Sequence, residues 1–100
     1  MPKEETIIHT QDVRVRVIEL GPEEAGAWHY HSETIDTMFC LSGRITVRLM
    51  DPSVERLLLP TDRCTVAPGR VHQVLNTSRE LASYLLVQGV GKYDFNPVTP

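Results

Sequence analysis

Apolar and polar residues alternate along most of this chain, and glycine or proline breaks the alternation at short intervals. From Asp12 to Leu20, "DVRVRVIEL" sets Val13, Val15 and Val17 against Arg14 and Arg16. Side chains two apart on a strand share a face, so this stretch predicts a strand whose valine side is buried. "GPEEAGA", with two glycines and a proline, is a loop by composition. "TMFCLSGRITVRLMD" follows as an apolar run, a Ser42-Gly43 turn and an alternating Ile45, Val47, Leu49, which reads as a β-hairpin. Asp51-Pro52 marks another turn, and "TVAPGRVHQVLN" divides at Pro68-Gly69 into two short strands.

One segment admits two readings. In "SRELASYLLVQG", Leu81, Tyr84, Leu85 and Gln88 recur at helical spacing behind a Ser78 cap. The cluster Tyr84-Leu85-Leu86-Val87, closed by Gly89, suits a buried strand equally well. Every neighbouring segment is strand-like, so the strand is adopted. The tail "GKYDFNPVTP" carries Tyr93 and Phe95 between glycine and prolines and is expected to be irregular, packed outside the sheet. Many short strands with Gly/Pro turns predict an all-β fold over residues 1–100 as one domain, a sandwich or a closed barrel. Closure would also remove exposed strand edges.

Composition narrows the function classes. The chain has 100 residues and a net charge of −3, with its ten Lys and Arg scattered. Phosphate binding relies on a concentrated positive face, so nucleic acid is not an expected partner. No apolar run follows Met1-Pro2-Lys3-Glu4-Glu5 and no stretch reaches membrane-span length, which points to a cytoplasmic protein without a membrane partner. Cys40 and Cys64 form no CxxC and read as small core fillers, with Cys40 on the same strand parity as Asp36 and Met38. Arg44, Arg48 and Arg56 read as a solvated face. A chain this small buries a modest share of its surface, so a homodimer is expected, although no surface is singled out for it.

The candidate chemistry lies in "WHYHSETID". His29 and His31 are two apart, so on a strand they project together and both imidazoles can close on one ion at about 2.0–2.2 Å. Taken alone, the pair is equally well two polar residues on a solvent-facing strand. If the chain turns between Ser32 and Ile35, Asp36 opens the next antiparallel strand and can face back toward the histidines. His72 begins a new strand just after Pro68-Gly69. His9, in "TIIHT", reads as a surface residue.

Across these two segments the chain resembles the cupin superfamily, small barrels of two packed antiparallel sheets. The first family motif, His-x-His, a short gap, an acid, six residues and Gly, matches His29, His31, Asp36 and Gly43. The second matches at Gly69, His72 and Asn76, with Ala67 where proline is usual and Pro68 next, and Thr61 in place of the opening glycine. Asp36 replaces the usual glutamate, one methylene shorter, so the backbone must come closer or a water must bridge. The resemblance implies a double-stranded β-helix, or jelly-roll, fold. It also implies one divalent transition metal held by His29, His31, His72 and Asp36, with Glu33 as the competing carboxylate if no turn intervenes. Three imidazoles and a carboxylate suit iron, manganese, nickel, zinc or copper alike. Such sites serve small-molecule enzymes of dioxygenase, isomerase or lyase type, or barrels that bind or sense a small ligand without catalysis.

Overall fold

The computed structural model describes residues 3–100. It is all-β, with ten strands: β1 (Lys3–His9), β2 (Val13–Leu20), β3 (His29–Tyr30), β4 (Ile35–Ser42), β5 (Ile45–Leu49), β6 (Val54–Leu58), β7 (Arg63–Val66), β8 (His72–Leu75), β9 (Ala82–Gly89) and β10 (Asn96–Pro97). They form two five-stranded sheets, ordered β1-β2-β9-β4-β7 and β10-β3-β8-β5-β6, with every pairing antiparallel. This is the predicted jelly-roll arrangement. Among the described residues no helix is long and apolar enough to cross a membrane.

The ambiguous segment is strand β9, with Ala82, Tyr84, Leu86 and Gln88 facing inward and the residues between them half-buried. Tyr84-Leu85-Leu86-Val87 therefore serves two faces of a sheet. The inner faces close on a core that includes Leu20, Met38, Cys40, Ile45, Val47 and Val66, each at most 2 % exposed. Both cysteines are free and buried, and burial pushes both thiols up from their ordinary pKa.

Three expectations need correcting. In β2 the valine face is not the inner one: Arg16, Ile18 and Leu20 are buried, while Val13, Val15 and Val17 lie half-buried on the outer face. Arg16 tolerates the interior because Nη1 meets the Glu4 carboxylate at 2.8 Å and Nη2 donates to Gln88 Oε1 at 2.7 Å. Burying a guanidinium is costly unless it is paired in this way. Second, β4 and β5 are not a hairpin. They belong to different sheets, and the Ser42-Gly43 turn carries the chain from one to the other. Gly43 adopts φ +70°, and a Cβ there would lie 2.6 Å from the Leu81 carbonyl oxygen, so this turn packs directly on the start of β9. Third, the tail does not lie outside the sheet but returns along β3, where β10 pairs, and reaches the histidines.

Candidate metal centre

His29 ends the loop into β3 and pairs directly across from His72, the first residue of β8. His31 follows β3, and the chain then bends through Ser32 and Glu33 so that Asp36 enters β4 pointing inward. The anticipated turn between Ser32 and Ile35 therefore exists, and Glu33 is left exposed outside the cluster. Gly69 donates its backbone N–H to the His31 carbonyl at 2.7 Å, tying the turn before His72 to the first histidine segment. Its φ of +79° is the left-handed conformation that glycine adopts without strain.

One ligand atom from each of His29, His31, Asp36 and His72 lies within 4.8 Å of the others. Asp36 Oδ2 sits 3.1 Å from His31 Nε2 and 3.0 Å from His72 Nε2. Adjacent donors of an octahedral ion at about 2.1 Å are separated by about 3.0 Å, so these spacings match neighbouring coordination positions. The missing methylene of Asp36 does not prevent contact. His31, Asp36 and His72 are almost wholly buried, and His29 is half-buried.

The outer nitrogens are already spoken for. Nδ1 of His29 lies 2.8 Å from the Ala27 carbonyl, that of His31 2.6 Å from the Asp94 carbonyl, and that of His72 2.9 Å from the Arg70 carbonyl. A carbonyl only accepts, so each Nδ1 carries its proton and each Nε2 presents a lone pair inward whenever the ring is neutral. Three such lone pairs and a carboxylate then face one another. The arrangement repels itself unless a cation or extra protons sit among them, and the cluster could hold a metal ion.

The titration shifts follow this geometry. Burial, with the neighbouring His72 and His31 charges, pushes His29 down to about 4, against a smaller opposing pull from the Ala27 hydrogen bond. Burial also acts to lower His31, but its hydrogen bond and attraction to Asp36 prevail and raise it above the ordinary histidine value. Asp36 resists its own burial for the same reason: hydrogen bonds from His31 and His72, with Gln88 behind them, hold its carboxyl far below the usual range.

Two supporting residues escaped the sequence reading. Gln88 Nε2 donates to Asp36 Oδ1 at 3.1 Å and lies 3.3 Å from His31 Nε2, while its Oε1 accepts from Arg16. Arg16 thus fixes which way the amide points. Their signal was a polar residue at the inward parity of an apolar strand: Gln88 after Tyr84 and Leu86, and Arg16 before Ile18. The tail contributes Phe95, stacked on His29 with centroids 4.5 Å apart at 23°, and Asp94, whose Oδ1 also accepts from the Ser32 N–H. Asn76 plays no direct part in the cluster. Its amide donates to the Leu20, Gly21 and Glu80 carbonyls and accepts from Ser78, pinning loops at the far end of β8.

A cavity of about 190 Å³ opens beside His29, lined by Glu4, Ile18, Leu20, Val74 and Tyr84. Burial raises the Tyr84 phenol well above its ordinary pKa, so it remains a hydrogen-bond donor. An apolar cavity with a few polar groups beside a cluster of donors is the general form of a small-molecule site.

Comparison with known proteins agrees with this architecture. A family model described as a cupin domain matches residues 16–88. A solved double-stranded β-helix protein from Klebsiella pneumoniae superposes with a TM-score of 0.86 at 24% identity, covering 99% of this chain and 85% of that one. The polyketide cyclase RemF from Streptomyces resistomycificus gives 0.84 at 16% identity, over 99% of this chain and 72% of that one. A recombinant oxalate oxidase solved with glycolate gives 0.81 at 11% identity, over 94% of this chain and 53% of that one. A search of curated protein sequences finds no match.

Proposed function

This chain belongs to the cupin family, and from that premise we infer that it binds one divalent transition metal through His29, His31, Asp36 and His72 and acts as an enzyme on a small organic molecule. The observation that carries the reading is the shared tautomer: three imidazoles spend Nδ1 on backbone carbonyls, Nε2 of His31 and of His72 lie 3.1 and 3.0 Å from one oxygen of Asp36, and His29 offers a ligand atom within 4.8 Å of the others. Backbone acceptors set that choice, so it does not depend on flexible side chains. A bound ion of this kind supplies Lewis-acid or redox chemistry. The protein's own part is to exclude water with Phe95 and the tail, to orient a ligand in the apolar cavity, and to offer the Tyr84 hydroxyl as a donor.

Oxalate oxidase and a polyketide cyclase share the fold. At their low identities they support the fold without choosing a reaction, and iron, manganese, nickel, zinc and copper all suit the donor set. A second reading, a barrel that binds a small ligand without catalysis, draws on the cavity's largely apolar lining, where Tyr84 and Glu4 are the polar side chains besides His29. Elemental analysis of protein purified without chelators or a histidine tag tests the metal assignment. One equivalent of a transition metal, lost in His72→Ala while the strand signature in circular dichroism persists, is expected. Metal-free wild type that also takes up no added Co²⁺, Zn²⁺ or Mn²⁺ would remove the reading. Turnover of small acids, diols and aromatic ketones by the reconstituted protein then separates enzyme from binding barrel.

A further inference from the structure

A second cavity, of about 260 Å³, opens at the polar end of the first sheet, between the loop that joins β1 to β2 and the segment that follows β9. Its buried side holds Thr34 and Gln88, 2% and 1% exposed. Arg14, Tyr93 and Gly91 flank it half-buried, and His9, Asp12 and Lys92 stand exposed on its solvent side. None of the four residues of the metal cluster lines it. Gln88 is the wall between them, but both polar atoms of its amide are engaged, Oε1 by Arg16 and Nε2 by Asp36. Two other lining side chains carry polar atoms that are not engaged. The Thr34 hydroxyl is buried and has no hydrogen-bond partner among the described residues. Arg14 lays its guanidinium on the Tyr93 ring, with Cζ 3.9 Å from the centroid, and its Nε is likewise buried and unpartnered. Among the described residues neither Arg14 nor Lys92 has an ion-pair partner. Arg16, two residues on, is the contrast, with Glu4 and Gln88 both meeting its guanidinium.

We propose that this cavity binds the carboxylate of a small organic acid, anchored by the Arg14 guanidinium, with the Lys92 ammonium on the solvent side and the Thr34 hydroxyl donating to the anion from the buried side. Buried polar groups are as a rule satisfied by protein, water or ligand, so a hydroxyl and a guanidinium nitrogen left over beside one cavity call for an acceptor. Stacking on an aromatic face fixes the plane of a guanidinium and leaves its edge free, the state in which arginine takes a planar anion through two parallel hydrogen bonds. The charges agree. Arg14 and Lys92 are positive and Asp12 negative, so with His9 neutral the lining carries one unmatched positive charge. A single carboxylate cancels it, whereas a phosphate dianion would leave an excess negative charge beside Asp12. Size sets the rest of the molecule. A cavity of about 150 Å³ takes benzene, so this one admits a ligand of about ten non-hydrogen atoms. The cluster of histidines supplies no contact to this cavity, so the inference stands or falls independently of the proposed function.

Benzoate fits this size, and benzamide is its uncharged counterpart. Titration of the full chain with benzoate, followed by the backbone amide resonances in NMR, is expected to shift Arg14, Thr34 and Gly91 with a dissociation constant below about 5 mM. Benzamide and inorganic phosphate should each bind at least about tenfold more weakly. Arg14→Gln should weaken benzoate binding about tenfold or more, and Thr34→Val about fivefold. Thr34→Val keeps the side-chain shape and removes a hydroxyl that bonds to nothing else, so it decides the matter should Arg14→Gln fail to fold. Chelation of any bound metal should leave the benzoate affinity unchanged. Benzoate that does not bind, that binds no better than benzamide, or whose binding disappears with the metal overturns the proposal, as does wild-type affinity in either variant. Phosphate held as tightly as benzoate overturns the assignment to a carboxylate.

Discussion

Replacing Gln88 by leucine removes one hydrogen-bonding side chain from the interior and keeps nearly the same volume. Gln88 is 1% exposed and makes two contacts that matter: its amide nitrogen holds Asp36 Oδ1 at 3.1 Å, and its oxygen receives Arg16 Nη2 at 2.7 Å. With leucine in place, a guanidinium nitrogen and a carboxylate oxygen each lose a buried partner. Such groups cost about 1–3 kcal/mol apiece, and the Arg16–Glu4 pair survives, so the metal-free protein should lose about 2–4 kcal/mol. Asp36 also loses the donor that occupies Oδ1 and leaves Oδ2 facing the histidines. Removing an outer partner of a metal ligand typically weakens binding about 10–100-fold, or about 1.4–2.7 kcal/mol. Arg16→Met is the control. It frees the amide to turn but leaves the donor in place, so the affinity loss should stay below about tenfold. Calorimetric titration with Zn²⁺ reads the affinity, and urea unfolding of the metal-free protein reads the stability. Wild-type Zn²⁺ affinity in Gln88→Leu, or a larger affinity loss in Arg16→Met, would refute the idea that Gln88 orients Asp36.

The other predictions concern pH, turns and loops. His29 has a folded pKa of about 4, below its unfolded value near 6.5; the unfolded chain binds more protons between these values. Its contribution to metal-free stability is therefore complete above pH 6.5 and lost as pH falls toward 4, and His29→Gln should flatten the melting temperature across that window. His31 has a raised pKa, so protons compete for its Nε2 already above the ordinary histidine range. Zn²⁺ affinity should fall as pH drops through neutrality, with proton release measured in buffers of different ionisation enthalpy. Gly43→Ala combines φ +70° with a Cβ 2.6 Å from the Leu81 carbonyl oxygen, whereas Gly69→Ala meets φ +79° in open space. Denaturant midpoints should show losses of about 3 kcal/mol for the first and about 1 kcal/mol for the second. Asn76→Ala strands several loop carbonyls and Ser78, so about 3 kcal/mol of stability should disappear while the folded fraction binds Zn²⁺ as the wild type does.

What could be read from the sequence, and what could not, divides along physical lines. That His29 and His31 project together was legible because strand parity fixes which side chains share a face, whereas the convergence of His72 upon them was legible only through the resemblance of the two segments to the family's motifs. Asp36 over Glu33 was legible only as a conditional, because the bend at Ser32 and Glu33 reverses parity and its place sets which carboxylate faces in. The spacing of turns led only as far as a sandwich or barrel, and the jelly roll itself came from the family resemblance of the two histidine segments. The Ser42-Gly43 turn did not reveal that it joins two sheets, since its local chemistry serves a hairpin equally well. What decides is the close approach of Gly43 to Leu81 and Ala82, 38 and 39 residues later. Asp94 left no trace because its contribution to His31 is a backbone carbonyl, which any residue type supplies.

The misassigned face of β2 has a cause that reaches beyond one strand. Periodicity tells that two faces differ, and hydrophobicity is then used to choose the inner one, on the assumption that the interior is apolar throughout. In this barrel it is not. The inward row Arg14, Gln88, Asp36 lies at one end of the first sheet, and the inward row Ile18, Tyr84, Cys40 lies four residues further along the strands. Arg16 stands between them, with Nη2 reaching Gln88 in the polar row and Nη1 reaching Glu4, which pairs across from Ile18. A strand that begins at the polar end and finishes in the core must therefore carry polar residues inward first and apolar ones later. β2 does this, and β9 does the reverse because it runs antiparallel: Ala82, Tyr84 and Leu86, then Gln88. The switch of polarity along two neighbouring strands, in opposite chain directions, locates the polar end of a closed sheet even where no histidine marks it. The same switch leaves Val13, Val15 and Val17 on the outer surface.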